Sequence, residues 1–127
     1  MATKVFWFSR HDMDQDQITS LEKKFGEVVI QKVNGTAPNV HVPFQAEVNN
    51  GEKKEVAPLK QLIDDADVVA VVAPIGLQQQ FLGICGDRPL IIVKNDRIFD
   101  SQDKVTFKFV EWQQVHKIEV VTSTFAD

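Results

Sequence analysis

Four short, almost unbroken apolar stretches limit what this chain can fold into: Val5 to Phe8, Val28 to Ile30, Val68 to Ala73, and Leu90 to Val93. A strand covered on both faces has no polar side to show, so it lacks the alternation of a half-exposed strand. Between the first two stretches Ile18, Leu21 and Phe25 recur at helical spacing; between the last two, Leu77, Phe81 and Leu82 do so. Doubly covered strands alternating with amphipathic helices predict an α/β chain. The expected form is a three-layer, Rossmann-like open sheet, mostly parallel. The tail differs. Val105, Phe107 and Phe109 alternate with Thr106 and Lys108, and Ile118-Glu119-Val120 alternates likewise. That pattern predicts a C-terminal antiparallel hairpin or edge strands.

Local signals place the helices. Asp14 suits an N-cap, Gln17 its reciprocal partner in a capping box, and Met13 can staple onto Ile18. Gly26 is a natural stop. Pro58 suits a first helical turn, followed by the apolar stripe Leu59, Leu62, Ile63 and Ala66. Residues 34–55 fit no regular element. Asn34-Gly35 and Asn50-Gly51 are hairpin-turn dipeptides, and Pro43 interrupts an alternating run, so the segment reads as a short irregular hairpin or a lid. With 127 residues, the chain reads as one α/β domain spanning 1–127.

Charge narrows the partners. A formal net charge of −4 argues against general affinity for duplex DNA, which a basic surface drives. Any basic cluster is then local and suits a small anionic ligand. Cys85 is the sole cysteine, so no intrachain disulfide and no thiolate metal cage is available. Met1 to Lys4 precedes only a few apolar residues, unlike a secretory leader, and no apolar stretch is long enough to span a bilayer. A cytoplasmic protein without membrane partners is expected.

In open α/β sheets ligands sit beyond the carboxyl ends of the strands. That rule selects Ser9, Arg10 and His11 after the first strand. It selects Pro74, Ile75 and Gly76, with Gln78 on the helix, after the Val68 strand. After the Leu90 strand it selects Lys94, Asn95, Asp96 and Arg97. Arg10, Lys94 and Arg97 would form a basic pocket, assisted by free amides at the starts of both helices. Gly76, Gln78 and Asn95 would add ligand contacts. Ser9 and His11 are the candidate catalytic pair, the imidazole acting near neutrality as a proton donor. Each has a plainer alternative: Arg10 can pair with Asp12, Asp14 or Asp16, His11 can cap a helix, and Ser9 can be a loop hydroxyl.

The absences are informative as well. Neither G-x-G-x-x-G nor G-x-x-x-x-G-K-[ST] occurs, which disfavours a dinucleotide dehydrogenase or a P-loop NTPase. His41 and His116 have no neighbours at metal-ligand spacing, so neither a metal site nor a cofactor is expected.

The opening Val5 to His11, with the helix through Leu21 to Gly26, resembles the start of small CRISPR-associated Rossmann-like proteins, among them ring nucleases. Asp67 to Val72 and Arg88 to Ile92 suit the same group. The resemblance implies a phosphate-contacting loop at Ser9, Arg10 and His11. It also implies a cyclic oligonucleotide ligand and a metal-independent phosphodiesterase activity. The strand Ala66 to Val72, its glycine turn and Arg88 to Val93 are also similar to nucleoside deoxyribosyltransferase-like folds. Those need a glutamate nucleophile where this chain has Leu77-Gln78-Gln79-Gln80, so that activity is not expected.

Two functions follow as expectations. The first is a nucleotide- or oligonucleotide-binding protein, catalytic or not, with its site across a homodimer. The second is a non-catalytic interaction or ligand-sequestering protein that docks through Phe107, Phe109 and Trp112. Full burial of those aromatics within one subunit would remove the motive for the second.

Overall fold

The computed structural model describes residues 2–48 and 51–125. Its seven strands form one sheet in the order β4-β3-β2-β1-β5-β6-β7. They are β1 (Thr3–Phe8), β2 (Val28–Thr36), β3 (Phe44–Val48), β4 (Glu52–Val56), β5 (Val68–Val71), β6 (Leu90–Phe99) and β7 (Val105–Gln114). The helices are α1 (Gln15–Phe25), α2 (Leu59–Leu62) and α3 (Ile75–Ile84).

β2, β1, β5 and β6 run parallel at the centre, while β3, β4 and β7 attach antiparallel at the two edges. The expected three-layer, mostly parallel Rossmann-like sheet is therefore corrected. The fold is a mixed sheet with 40% strand and only 21% helix. The difference arises where polar segments become strands. Residues 34–55, expected as a short irregular hairpin or a lid, complete β2 and form a regular antiparallel hairpin, β3 and most of β4, that extends the sheet. Asn34-Gly35 lies inside β2, paired with Glu47 and Ala46. Asn50 falls outside the described residues, and Gly51 next to it takes a φ of 85°. α2 is a single helical turn, although Leu59 and Ile63 are buried as their stripe requires. Ile118 to Val120 joins no strand.

Packing follows from alternation along β1 and β5. Phe6, Phe8, Val69 and Val71 face one side, with Leu59, Ile63, Phe81, Cys85 and the hairpin residues Phe44 and Ala46. Val5, Trp7, Val68 and Ala70 face the other, under Leu21 of α1 and beside Trp112. The capping box at α1 forms: Asp14 accepts from the Gln17 amide at 2.8 Å, and the Gln17 side chain accepts from the Asp14 amide at 2.9 Å. Arg88 clamps the α2 and α3 ends together, donating to the carbonyls of Ala66, Cys85 and Asp64. No helix among the described residues is long and apolar enough to cross a membrane.

Burial pushes the Cys85 thiol up from 9.0 to about 11. The unfolded thiol therefore ionises first as pH rises. Above that lower value the unfolded state holds fewer protons, and stability falls with increasing pH. We expect the urea midpoint to drop more steeply above pH 9 in the wild type than in Cys85→Ala. Parallel slopes for the two proteins would show that the thiol is not the cause.

Candidate functional site

The chain runs from β1 to β2 on one side of β1, then returns to β5 on its other side. Strand order reverses there, and a cleft lies at the carboxyl ends of β1, β2 and β5. The cleft has a volume of about 310 Å³. Phe8, Ser9 and Arg10 line it from β1, Gly35 and Thr36 from β2, Val72 to Pro74 from the β5 end, and Leu77 and Gln80 from α3. Two further hollows adjoin it through shared residues. One, of about 360 Å³, lies between Ser9-Arg10-His11 and Val72-Ala73-Pro74. The other, of about 250 Å³, runs over β2, β3 and β4 past Asn34, Gln45, Glu47 and Lys53. Arg10 lines all three.

The loop carrying Arg10 is held from inside. Ser9 is buried; its amide donates to the Val33 carbonyl at 3.1 Å, and its Oγ accepts from the His11 amide at 3.1 Å. Below it, the Trp7 indole N–H donates to the His11 carbonyl at 2.8 Å. The loop thus hangs on a core side chain, while Arg10 and His11 reach solvent. Asp12 does not neutralise Arg10. Its carboxylate pairs with Lys32 at 2.7 Å, and that ammonium holds it below the usual carboxylate range. Among the described residues Arg10 has no acidic partner.

The two helix starts differ. At the α1 start the capping box engages the amides of Asp14 and Gln17, and the Asp14 carboxylate itself occupies the place an anion would take. The α3 start follows Pro74 with no side-chain cap, and the residues leading into it line the cleft. Its first-turn amides supply partial positive charge at that wall.

Other predicted residues lie elsewhere. Lys94, Asn95 and Arg97 were expected in a strand-end loop, but they sit inside β6, which continues to Phe99. Lys94 pairs with Glu111, and Arg97 pairs with Phe107 and stacks over its ring at 5.8 Å. Three positions apart on β6, Lys94 and Arg97 point to opposite faces. Neither these two nor Asn95 lines any of the three hollows. Gly76 occupies the first turn of α3, and the Gln78 amide turns back to donate to the Ala73 carbonyl at 2.8 Å. Thr36, Gln80 and Lys53 went unnoticed in the sequence. The carboxyl-end rule selects Thr36 once β2 is seen to run well past the apolar stretch Val28 to Ile30. Gln80 does structural work as well, its Oε1 accepting from the Val40 amide at 3.1 Å.

No group of His, Cys, Asp and Glu among the described residues is arranged to hold a metal ion. Comparison with protein-family models, curated proteins and solved structures returned no match.

Proposed function

We propose that this protein binds a phosphate-bearing ligand of the nucleotide class, cyclic oligonucleotides included, at the carboxyl ends of β1, β2 and β5. One observation carries the reading. Arg10, with no acidic partner among the described residues, stands where three hollows meet, opposite the uncapped start of α3. Guanidinium and helix amides favour the same anion, and charge-assisted hydrogen bonds are the stronger kind. The Ser9 hydroxyl accepts from the His11 amide and keeps its own proton for a ligand oxygen. Phe8, Val72 and Leu77 offer apolar walls for a base.

In the catalytic form of this reading the ligand's own 2′-hydroxyl gives its proton to solvent water and its oxygen attacks phosphorus, forming a 2′,3′-cyclic phosphate as the P–O5′ bond breaks. Arg10 offsets the developing charge and His11 gives its proton to the departing 5′-oxygen. Titration calorimetry with linear and cyclic oligoribonucleotides in a chelator, followed by product analysis, tests both forms. Arg10→Ala should weaken binding about 10- to 100-fold. His11→Ala should leave binding intact and remove any cleavage. Bound but unchanged ligand identifies a sequestering protein. If no nucleotide binds the wild type, the reading fails.

A further inference from the structure

Beyond Ile91, β6 pairs only with β7 among the described residues, and past Val93 and Trp112, which still pack on the α1 side of the core, the two strands continue as an arm roughly 20 Å long. Register assigns its faces. Val93, Asn95, Arg97 and Phe99 share one face with Trp112, Phe109, Phe107 and Val105, their cross-strand partners. Apart from Asn95 and Arg97 that face is apolar, and it is open: Phe99 is 64% exposed and Phe107 is 61% exposed. It continues the core through Phe109, Trp112 and Trp7, stacked edge-on at 5.8 and 5.7 Å.

β7 is also the last strand of the sheet, with ten residues whose outer edge pairs with nothing among the described residues. The opposite edge, β4, is five residues long and nearly all charged, a pattern that discourages pairing. β7 carries two charges, Lys108 and Glu111. In a regular strand, residues three apart face opposite sides. Here Val110 is an extra residue, a bulge against Lys94 and Asn95, and it brings Lys108 and Glu111 onto one face.

We propose that a second copy of this chain adds antiparallel along β7. The two-fold axis passes between Phe109 and Val110, and Lys108 faces Glu111 of the second copy, twice by symmetry. A two-fold axis normal to the sheet preserves faces, so this register is open only because the bulge shifts them. The same register sets Phe107 beside Trp112 of the second copy and Thr106 beside Gln113, so the aromatic faces merge into one surface. Opposite charges thus meet on both sides of the axis, at the centre of a self-complementary edge.

The test uses the full chain and charge reversal, with sedimentation velocity over a concentration series. Lys108→Glu alone and Glu111→Lys alone each place like charges opposite one another, and each should weaken self-association about tenfold or more. An equimolar mixture of the two variants makes every cross-copy pair opposite again and should restore dimerisation. A mass tag on one variant shows that the restored species is the mixed dimer. Because each variant carries the same within-chain changes alone and mixed, restoration also shows that both are folded. A wild type that stays monomeric at all concentrations overturns the proposal. So do single variants that associate like the wild type, or a mixture that recovers nothing.

Discussion

Replacing Trp7 by alanine is expected to lower the unfolding free energy by about 4 kcal/mol. Trp7 is the largest fully enclosed side chain on the α1 side of the sheet, among Val5, Leu21, Val68 and Ala70. Truncation removes that burial and leaves a cavity that β1, paired on both sides, cannot close. It also removes the edge-on contact with Trp112 at 5.7 Å and the hydrogen bond to the His11 carbonyl. For a domain whose total stability is about 5–15 kcal/mol, a loss of that size is severe. Trp7→Phe separates the contributions. It keeps most of the apolar volume but drops the indole N–H, and should cost about 1–2 kcal/mol. The same substitution frees the loop that carries Arg10, so ligand affinity should fall with it. Urea titration followed by circular dichroism measures both variants. A Trp7→Ala loss below about 1.5 kcal/mol would show that the ring is not held as its contacts indicate.

Interior features are readable from the sequence, and so is the alternation that marks β7 as an antiparallel edge strand; strands without apolar periodicity are not. β1 and β5 announce themselves because strands covered on both faces exclude polar residues. The start of α1 is equally plain, since Asp14 and Gln17 satisfy each other's backbone without help from elsewhere. β4 is different. Glu52-Lys53-Lys54-Glu55 has no apolar periodicity, and nothing local marks it as a strand. It becomes one by pairing with β3, whose Phe44 and Ala46 are buried against the core. The outer half of β6 was misread for a related reason. Lys94 to Arg97 resembles a solvated loop, and its strand character depends on partners in β7 that lie 10 to 17 residues farther along the chain.

The same division explains the candidate site. Ser9-Arg10-His11 was found because it ends a buried strand, and the rule about carboxyl ends needs only that strand's position. Lys94 and Arg97 were assigned to the site because β6 was taken to stop at Val93. A strand end fixes where a ligand site lies, so misplacing that end by a few residues relocates every side chain beyond it. The docking alternative rested instead on exposure. Phe107 is mostly exposed, and Phe109 and Trp112 are only half-buried, so its motive survives.

Gly35→Ala is expected to cost about 2–3 kcal/mol, toward the upper end for overpacking. Gly35 is not among the glycines with positive φ, so backbone freedom is not what the position requires. Space is. A Cβ there would stand 2.7 Å from the Gln45 carbonyl oxygen and 2.8 Å from the Phe44 ring. The first of these is backbone in a paired strand and cannot swing aside. The second is a core ring, 3% exposed, packed edge-on against Phe8. Relief must come from lifting β3 off β2, so the damage should concentrate in the β3–β4 hairpin while the parallel centre persists. Hydrogen exchange should show amides of β3 and β4 losing protection well before those of β1 and β5. Gly35→Asn distinguishes the strand from the turn that Asn34-Gly35 suggests. A turn with positive φ tolerates asparagine better than alanine, whereas a crowded strand position tolerates it worse. Asparagine more stable than alanine at this position would contradict the observed register. The substitution also bears on the site, because Gly35 lines two of the hollows that meet at Arg10. Ligand affinity should therefore fall in Gly35→Ala even at temperatures where the centre of the sheet remains folded.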